Sequence, residues 1–213
     1  MRALLCKYIN CFGILKESIL YLRAMKGICI FLADGFEDME AIATRDVLCR
    51  GGVDVITVAV GGSRSVTSSH GLTVSADLSR SEFEASVEEG GETGADMMIF
   101  PGGMPGSCTL ASDEALVAML NRHYAAGGAV AAICAAPGLV ASQLDGLEGK
   151  RFTCFPGFEG KAIAKGALHT GEGVVTDGRL ITGRSAGYAV PFGLAILAFL
   201  KGEEAAEKVR ASL

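Results

Sequence analysis

The chain has 213 residues, of which 50% are hydrophobic and 20% are charged, and this balance excludes an intrinsically disordered protein. Its formal net charge of −5 argues against nucleic acid as the main partner, because a nucleic-acid interface needs a basic face. The seven cysteines are irregularly spaced and form no CxxC pair. Neither a disulfide framework nor a zinc knuckle is therefore predicted, and a reducing cytoplasm is the expected location.

The first 24 residues differ in character from the rest of the chain. They are moderately apolar but interrupted by charged residues, so no apolar stretch reaches the ~18 residues that a membrane span needs. A clean signal-peptide pattern is also missing, and no membrane association is expected. Met25 lies just before the first predicted core strand. We interpret residues 1–24 as an extension, either a mis-assigned start or disordered, and predict a single α/β domain over residues 25–213.

From Gly27 onward, short apolar runs alternate with helical patterns. Strands are predicted over residues 28–32, 53–59, 72–74 and 96–100, in the run that ends at residue 133, and in a hairpin over 174–176 and 180–182. Helices are predicted over residues 37–49, 81–88, 113–126, 138–144, 191–200 and 203–209. This alternation indicates right-handed βαβ units and a mainly parallel sheet with helices on both faces. In such sheets the functional residues gather beyond the carboxyl ends of the strands.

Cys134 stands at one of these strand ends. It follows a small apolar strand and precedes a helix led by Pro137, so its thiol is expected on a strand-to-helix turn near a helix N-terminus. A cysteine in that position ionises readily, which predicts a nucleophile or an oxidant sensor. The alternative is a buried small hydrophobic residue, because free cysteine is often buried.

Three acidic residues follow the first predicted strand. Asp34 and Glu37 have the spacing of a capping box, and Glu40 lies three residues further along, on roughly the same helix face. For Asp34 and Glu37 a simple role in complementing the helix N-terminus remains open. Glu40 lies among apolar neighbours and is expected to be partly buried. Burial would raise the pKa of its carboxyl and make it a proton donor to a nearby thiolate.

Paired glycines follow the strand that ends at Phe100. Gly102 and Gly103 allow the backbone to approach another group closely, and free N–H groups there and after Cys134 would form an oxyanion hole. A tight turn is the alternative interpretation.

Histidine gives little support for a cysteine–histidine dyad. None of the three histidines directly follows the candidate cysteine. His123 is expected on a helix surface and His169 in a glycine-rich loop. His70 follows the second strand and is the histidine that we expect to reach the same edge of the sheet.

Three loops considered together resemble the ThiJ/PfpI superfamily, and specifically its parkinsonism-associated deglycase branch (DJ-one-like). The matching segments are LADGFEDME (residues 32–40), FPGG (residues 100–103) and AAICAAP (residues 131–137). The resemblance extends from about Lys26 to the C-terminus. It implies a flavodoxin-like three-layer α/β sandwich that forms homodimers.

The resemblance also implies roles for particular residues. Cys134 would be the nucleophile, Glu40 a protonated acid hydrogen-bonded to it, and the amides of Gly103 and Ala135 the oxyanion hole. Residues expected to bind substrate or support the site are Glu37, Gly102, His70, Phe155 and Pro137. Members are described as glyoxalases that need no cofactor, as deglycases of early glycation adducts and as redox-responsive chaperones. The expected substrate is a methylglyoxal-type aldehyde or a glycated adduct, and neither a metal nor a cofactor is expected.

Two positions depart from the pattern of this branch. Phe155 stands where some relatives carry a histidine before proline, and His70 stands where a basic residue is expected. Glu40 would therefore carry the proton transfers. The main alternative function is a redox sensor or chaperone in which Cys134 is oxidised to a sulfinate. A PfpI-type peptidase is less favoured, because that branch has histidine where this chain has Ala135. An amidotransferase would need a downstream His-x-Glu, and a transcription factor a helix-turn-helix extension.

Overall fold

A computed structural model describes residues 27–88 and 95–213. The predicted extension, residues 1–24, lies outside the described residues. The strands are β1 (Gly27–Leu32), β2 (Val55–Ala59), β3 (Ser65–Thr67), β4 (Thr73–Ser75), β5 (Leu78–Ser79), β6 (Ala95–Phe100), β7 (Ala129–Ile133), β8 (Arg151–Phe152), β9 (Leu168–His169), β10 (Val174–Asp177) and β11 (Leu180–Gly183). The helices are α1 (Asp38–Arg50), α2 (Arg80–Glu88), α3 (Gly106–Ser112), α4 (Glu114–Ala125), α5 (Ala136–Leu139), α6 (Gly160–Ala164), α7 (Ala189–Lys201) and α8 (Glu203–Arg210), with 3-10 turns at Ala141–Gln143 and Ala186–Tyr188.

Seven of the strands form one sheet in the order β10-β11-β7-β6-β1-β2-β5. Every neighbouring pair is parallel except the β10–β11 hairpin. The strands β7, β6 and β1 lie side by side near the middle. The loops that follow these three strands therefore meet at the same carboxyl edge.

Alternating side chains of the central strands pack on opposite faces of the sheet. Phe31 and Phe100 join a buried cluster that includes Leu120 of α4, whereas Ile30 belongs to a second cluster that includes Phe192 of α7. Helices α2 to α6 contribute to the first cluster, and α1, α7 and α8 to the second. Both faces of the sheet are thus covered, which gives the predicted three-layer sandwich.

The predicted elements correspond closely to the observed ones, and the differences are confined to short segments. The strands β3, β5, β8 and β9 and the helices α3 and α6 were not predicted, because two to seven residues carry too little periodicity. Helix α2 begins at Arg80, one residue before the predicted start, because Ser79 and Glu82 form a capping box at its N-terminus. Within the described ranges, no helix combines the length and apolar character required to cross a bilayer.

Candidate active site

Cys134 occupies a sharp turn between β7 and α5. Its φ is +65°, the only positive φ at a non-glycine residue in the part of the chain that the structure describes. This conformation costs an L-residue about 1–2 kcal/mol. Two backbone hydrogen bonds hold it: Cys134 N–H donates to the Gly183 carbonyl at 2.9 Å, and Phe155 N–H donates to the Cys134 carbonyl at 2.7 Å. The turn is therefore fixed from both sides while the half-buried side chain stays accessible.

Glu40 lies in the first turn of α1 and is only 1% exposed. Its Oε2 accepts the Gly102 N–H at 2.7 Å, and its buried Oε1 has no hydrogen-bond partner among the described residues. Glu37 is the N-cap of α1, since its Oε2 accepts the Glu40 N–H at 2.8 Å. The predicted capping role of Asp34 is wrong: its Oδ1 accepts the Thr67 N–H at 2.8 Å instead.

The absence of a side chain at Gly102 allows the Glu40 carboxyl and the Cys134 thiol to lie close together. A Cβ built on Gly102 would lie 2.6 Å from Glu40 Oε2, 2.6 Å from Cys134 Cβ and 3.1 Å from Cys134 Sγ. Any side chain there would push the two groups apart. This crowding is a physical reason for a glycine at Gly102 beyond the needs of a turn.

Burial dominates the ionisation of Glu40. It raises the pKa of this carboxyl from 4.5 to about 7, and the negative charge of Glu37 adds to the increase. The Gly102 amide and the Cys134 thiol lower the pKa, because both stabilise the carboxylate, but they do not offset burial. The predicted burial of Glu40 is confirmed. Near neutral pH this carboxyl can both hold and release a proton.

The pKa of the Cys134 thiol is raised from 9.0 to about 12, first by burial and then by the charge and hydrogen bonding of Glu40. This is opposite to the direction predicted from the helix dipole. Helix α5 has only four residues, so its dipole is weak compared with a buried neighbouring carboxylate. Because the charge of Glu40 is itself a cause of the increase, the two groups titrate as a coupled pair. A proton on Glu40 removes the repulsion that opposes a thiolate.

Two backbone amides face the sulfur atom. The N–H groups of Ala135 and Gly103 hydrogen-bond Cys134 and lower the pKa of its thiol. Gly103 has a φ of +91°, and a Cβ there would lie 2.4 Å from Glu37 N, so no other residue fits. Pro137 is buried in the first turn of α5, where it supports the turn instead of offering a surface to a ligand.

His70 lies on the exposed side of the site. Its side chain is 71% exposed, and its Nδ1 lies 2.5 Å from Asp38 Oδ2. This hydrogen bond and the charge of Asp38 raise the pKa of His70. Donor atoms of Glu37, Asp38 and His70 lie within 4.8 Å of one another, so this group could hold a metal ion, although Glu37 Oε2 already accepts the Glu40 amide.

The two other histidines lie elsewhere. His123 is 1% exposed, so the predicted surface position is wrong. Its Nε2 lies 2.8 Å from the Ala129 carbonyl oxygen, and its ring packs against Gly128, where a Cβ would lie only 2.0 Å away. His169 is exposed on β9, and its ring centroid lies 5.3 Å from that of Phe152.

Two residues that support the site were not predicted. Asp38 pairs with His70, but an acid in a first helical turn has an ordinary explanation in the helix dipole. The carbonyl of Gly183, on the neighbouring strand β11, accepts the Cys134 N–H. A Cβ on Gly183 would meet the Ile133 side chain at 2.8 Å, and glycine at the end of a strand was the signal that could have indicated this close approach.

A model of the DJ-1/PfpI family matches residues 26–199. The chain belongs to the DJ-1/PfpI family. It is 32% identical over 193 residues to the Parkinson disease protein 7 homolog of Danio rerio, covering 89% of this chain and 97% of the relative. It is 30% identical to the glutathione-independent glyoxalase DJR-1.2 of Caenorhabditis elegans, covering 86% of this chain and 93% of that protein.

Two plant relatives are longer proteins. Protein DJ-1 homolog A of Arabidopsis thaliana is 35% identical over 188 residues, and homolog B has the same identity. The matched region covers 88% of this chain but only 46% and 41% of those two proteins, so the chain spans less than half of their length.

Solved structures of the family share the fold. The oxidized form of Toxoplasma gondii DJ-1 has a TM-score of 0.78 and 30% identity, covering 87% of this chain and 96% of the other. Drosophila melanogaster DJ-1beta has a TM-score of 0.77 and 30% identity, covering 88% and 96%. The flavodoxin-like α/β sandwich implied by the sequence motifs is confirmed.

Proposed function

We propose that this member of the DJ-1/PfpI family is a cysteine-dependent glyoxalase or deglycase that needs no cofactor. It would convert methylglyoxal-type 2-oxoaldehydes, or their early glycation adducts, to 2-hydroxy acids. The observation that carries the proposal is the coupled pair of Glu40 and Cys134 over Gly102. The glyoxalase name of the Caenorhabditis elegans relative supports it.

The first step uses the proton shared by the pair. Transfer of the thiol proton to the Glu40 carboxylate leaves a thiolate beside a neutral acid. The Cys134 sulfur then bonds to the aldehyde carbon, and the carbonyl electron pair moves to oxygen. The amides of Gly103 and Ala135, which already face the sulfur, stabilise this oxyanion until Glu40 donates its proton to it. The product of this step is a hemithioacetal.

The second step moves a proton between the two carbons. Glu40, now a carboxylate, removes the proton from the carbon attached to sulfur and returns it to the neighbouring ketone carbon. The hydroxyl proton of the hemithioacetal passes to the ketone oxygen, so the ketone becomes an alcohol and the carbon attached to sulfur becomes a carbonyl. The carbon on sulfur is then a thioester. Water cleaves it, releasing the 2-hydroxy acid and restoring the thiol. Each such positioned acid–base or oxyanion contribution is typically worth about 10²–10⁴-fold in rate.

Substitution of the nucleophile tests the proposal. Cys134→Ser should abolish lactate release from methylglyoxal, whereas Cys108→Ser, at an exposed cysteine on α3, should retain it. Both variants should show the same far-UV circular dichroism as the wild type. Lactate release at the parent rate by folded Cys134→Ser would refute the mechanism.

A redox-sensing role is the second candidate, and the same pair favours it. Peroxide oxidation of Cys134 to a sulfinate would place its new oxygens near the amides of Gly103 and Ala135, which already face the sulfur. The Toxoplasma gondii relative has been solved in an oxidized form. Intact mass after mild peroxide treatment would test this role: a gain of two oxygens that depends on Cys134 supports it, and an unchanged mass contradicts it.

We further propose a homodimer in the cytoplasm with no nucleic-acid partner. On α1, Met39 and Ile42 are 57% and 46% exposed and lie three residues apart, on one face of the helix. Leu72 is 45% exposed and lies two residues after His70, which contacts the start of α1. A second copy would cover these apolar side chains. Light scattering coupled to size exclusion should give twice the chain mass, and Ile42→Glu should reduce it to one chain.

A further inference from the structure

Phe155 presents an aromatic ring beside the residue that carries the nucleophile. Its backbone N–H donates to the Cys134 carbonyl at 2.7 Å, which fixes the start of the Phe155 side chain next to the turn between β7 and α5 that carries Cys134. Nevertheless, Phe155 is 44% exposed. The ring is thus available to a molecule bound at the thiol.

The loop that carries Phe155 packs against the segment that follows Cys134. Phe158 N–H donates to the Phe155 carbonyl at 3.2 Å, and the two rings meet at 69° with centroids 6.4 Å apart. The Phe158 carbonyl in turn packs on Gly138 of α5, where a Cβ would lie only 2.0 Å from the carbonyl oxygen. The aromatic pair is therefore preorganised relative to Cys134 and needs no ordering when a ligand binds.

A second exposed apolar side chain comes from the loop that supplies an oxyanion-hole amide. Met104 follows Gly103 and is 50% exposed. The charged groups of the site, Glu37, Asp38 and His70, lie instead after β1 or in the β3–β4 loop that contacts α1. Phe155 lies between β8 and α6 and Met104 between β6 and α3, so the apolar and the charged residues around the site come from different loops.

We infer that Phe155 determines specificity by binding an apolar, and preferably aromatic, substituent on the ketone carbon of a 2-oxoaldehyde. The inference rests on the proposed function. In the hemithioacetal the aldehyde carbon is bonded to Sγ, so the substituent begins two bonds from that carbon. A planar substituent can then pack on the Phe155 ring with the geometry that aromatic pairs prefer. A histidine at this position would bring a polar ring.

The experiment compares phenylglyoxal with methylglyoxal in the wild type and in Phe155→Ala. The ratio of kcat/KM values for the two compounds should fall about fivefold in the variant, which is the contribution of one aromatic contact. The loss should lie mainly in the KM for phenylglyoxal. Phe155→Leu, which keeps an apolar side chain, should lose less. The matched control is Phe199→Ala, a phenylalanine on α7 that is 41% exposed, and it should leave the ratio unchanged.

The outcomes separate this inference from the proposed function. If the wild type turns over both compounds and the ratio is the same in Phe155→Ala, the specificity role is refuted while the glyoxalase proposal stands. An equal change in Phe199→Ala would also refute it. If the wild type turns over neither compound, the proposed function and this inference both fail.

Discussion

Replacing Glu40 by glutamine should stabilise the protein while removing its activity. The pKa of this carboxyl rises from 4.5 to about 7 on folding. The folded chain therefore binds more protons than the unfolded chain between these values, and stability falls as the pH rises through this window. Each unit by which folding raises the pKa corresponds to about 1.4 kcal/mol. Keeping Glu40 as a carboxylate in the folded protein above pH 7 therefore costs about 3 kcal/mol. Glutamine has nearly the same shape and does not incur this cost.

Thermal unfolding followed by circular dichroism at pH 4 and pH 8 would measure the effect. For a chain of this size, about 3 kcal/mol corresponds to a rise in Tm of about 6–12 °C. The glutamine amide adds an offset that is the same at both pH values, so the difference between pH 8 and pH 4 isolates the ionisation of Glu40. Glu207→Gln, at a side chain that is 65% exposed, is the matched control for removing a carboxyl that is not buried, and its effect on Tm should differ between the two pH values by less than that of Glu40→Gln.

A pH-independent difference in Tm between Glu40→Gln and the wild type would refute this reasoning. It would mean that the carboxyl ionises normally in the folded protein, and a coupled pair could not then exist. The reasoning would also be refuted if the Tm of Glu40→Gln, measured relative to the wild type, were lower at pH 8 than at pH 4.

Three further predictions follow from the same geometry. The kcat/KM for methylglyoxal should rise with pH and level off above about 7, because the reactive pair carries a single proton, and a rate that does not change with pH through this range would contradict the pairing. Gly102→Ala should lower the free energy of unfolding by about 1–3 kcal/mol and kcat/KM by about a hundredfold, while Gly61→Ala, in open space, leaves urea melts and rates unchanged. Asp38→Asn should lower the pKa of His70 in an NMR titration, and an unchanged pKa would contradict the pairing.

The long elements of the fold were predictable because their patterns are strong. Strands β1 and β7 are continuous apolar runs and β6 is apolar from Met97 to Phe100, as expected for strands buried on both faces. Asp113 marks the start of α4 through its side-chain cap. The β10–β11 hairpin has Gly178 at a φ of +60°, as its Asp-Gly sequence predicts. Short strands such as β8 exist through tertiary contacts that no local window contains.

Contacts between distant segments explain what the sequence left open in the site. The positions of Cys134, Glu40 and Gly102 after parallel strands predicted that they would lie at one edge of the sheet. The sequence could not show that a Cβ on Gly102 would overlap the other two side chains. His123 lies in a polar stretch, yet it is buried because Gly128 leaves room for its ring. The helix dipole predicted the wrong direction for the thiol pKa, since the burial that raises it depends on the whole fold.

The high pKa of Cys134 changes what activates the thiol. A thiol with a pKa near 12 supplies almost no thiolate at neutral pH unless its proton can move to a neighbour. Glu40 has a pKa near 7 and a buried oxygen with no hydrogen-bond partner in the described part of the chain, so it is a suitable acceptor. Aldehyde addition and peroxide oxidation both require this transfer, so both should depend on pH in the same way. Only the aldehyde reaction then needs Glu40 to move a second proton, from one carbon to the next. Glu40→Gln should therefore abolish lactate release more completely than it slows sulfinate formation, and this difference separates the enzyme from the sensor.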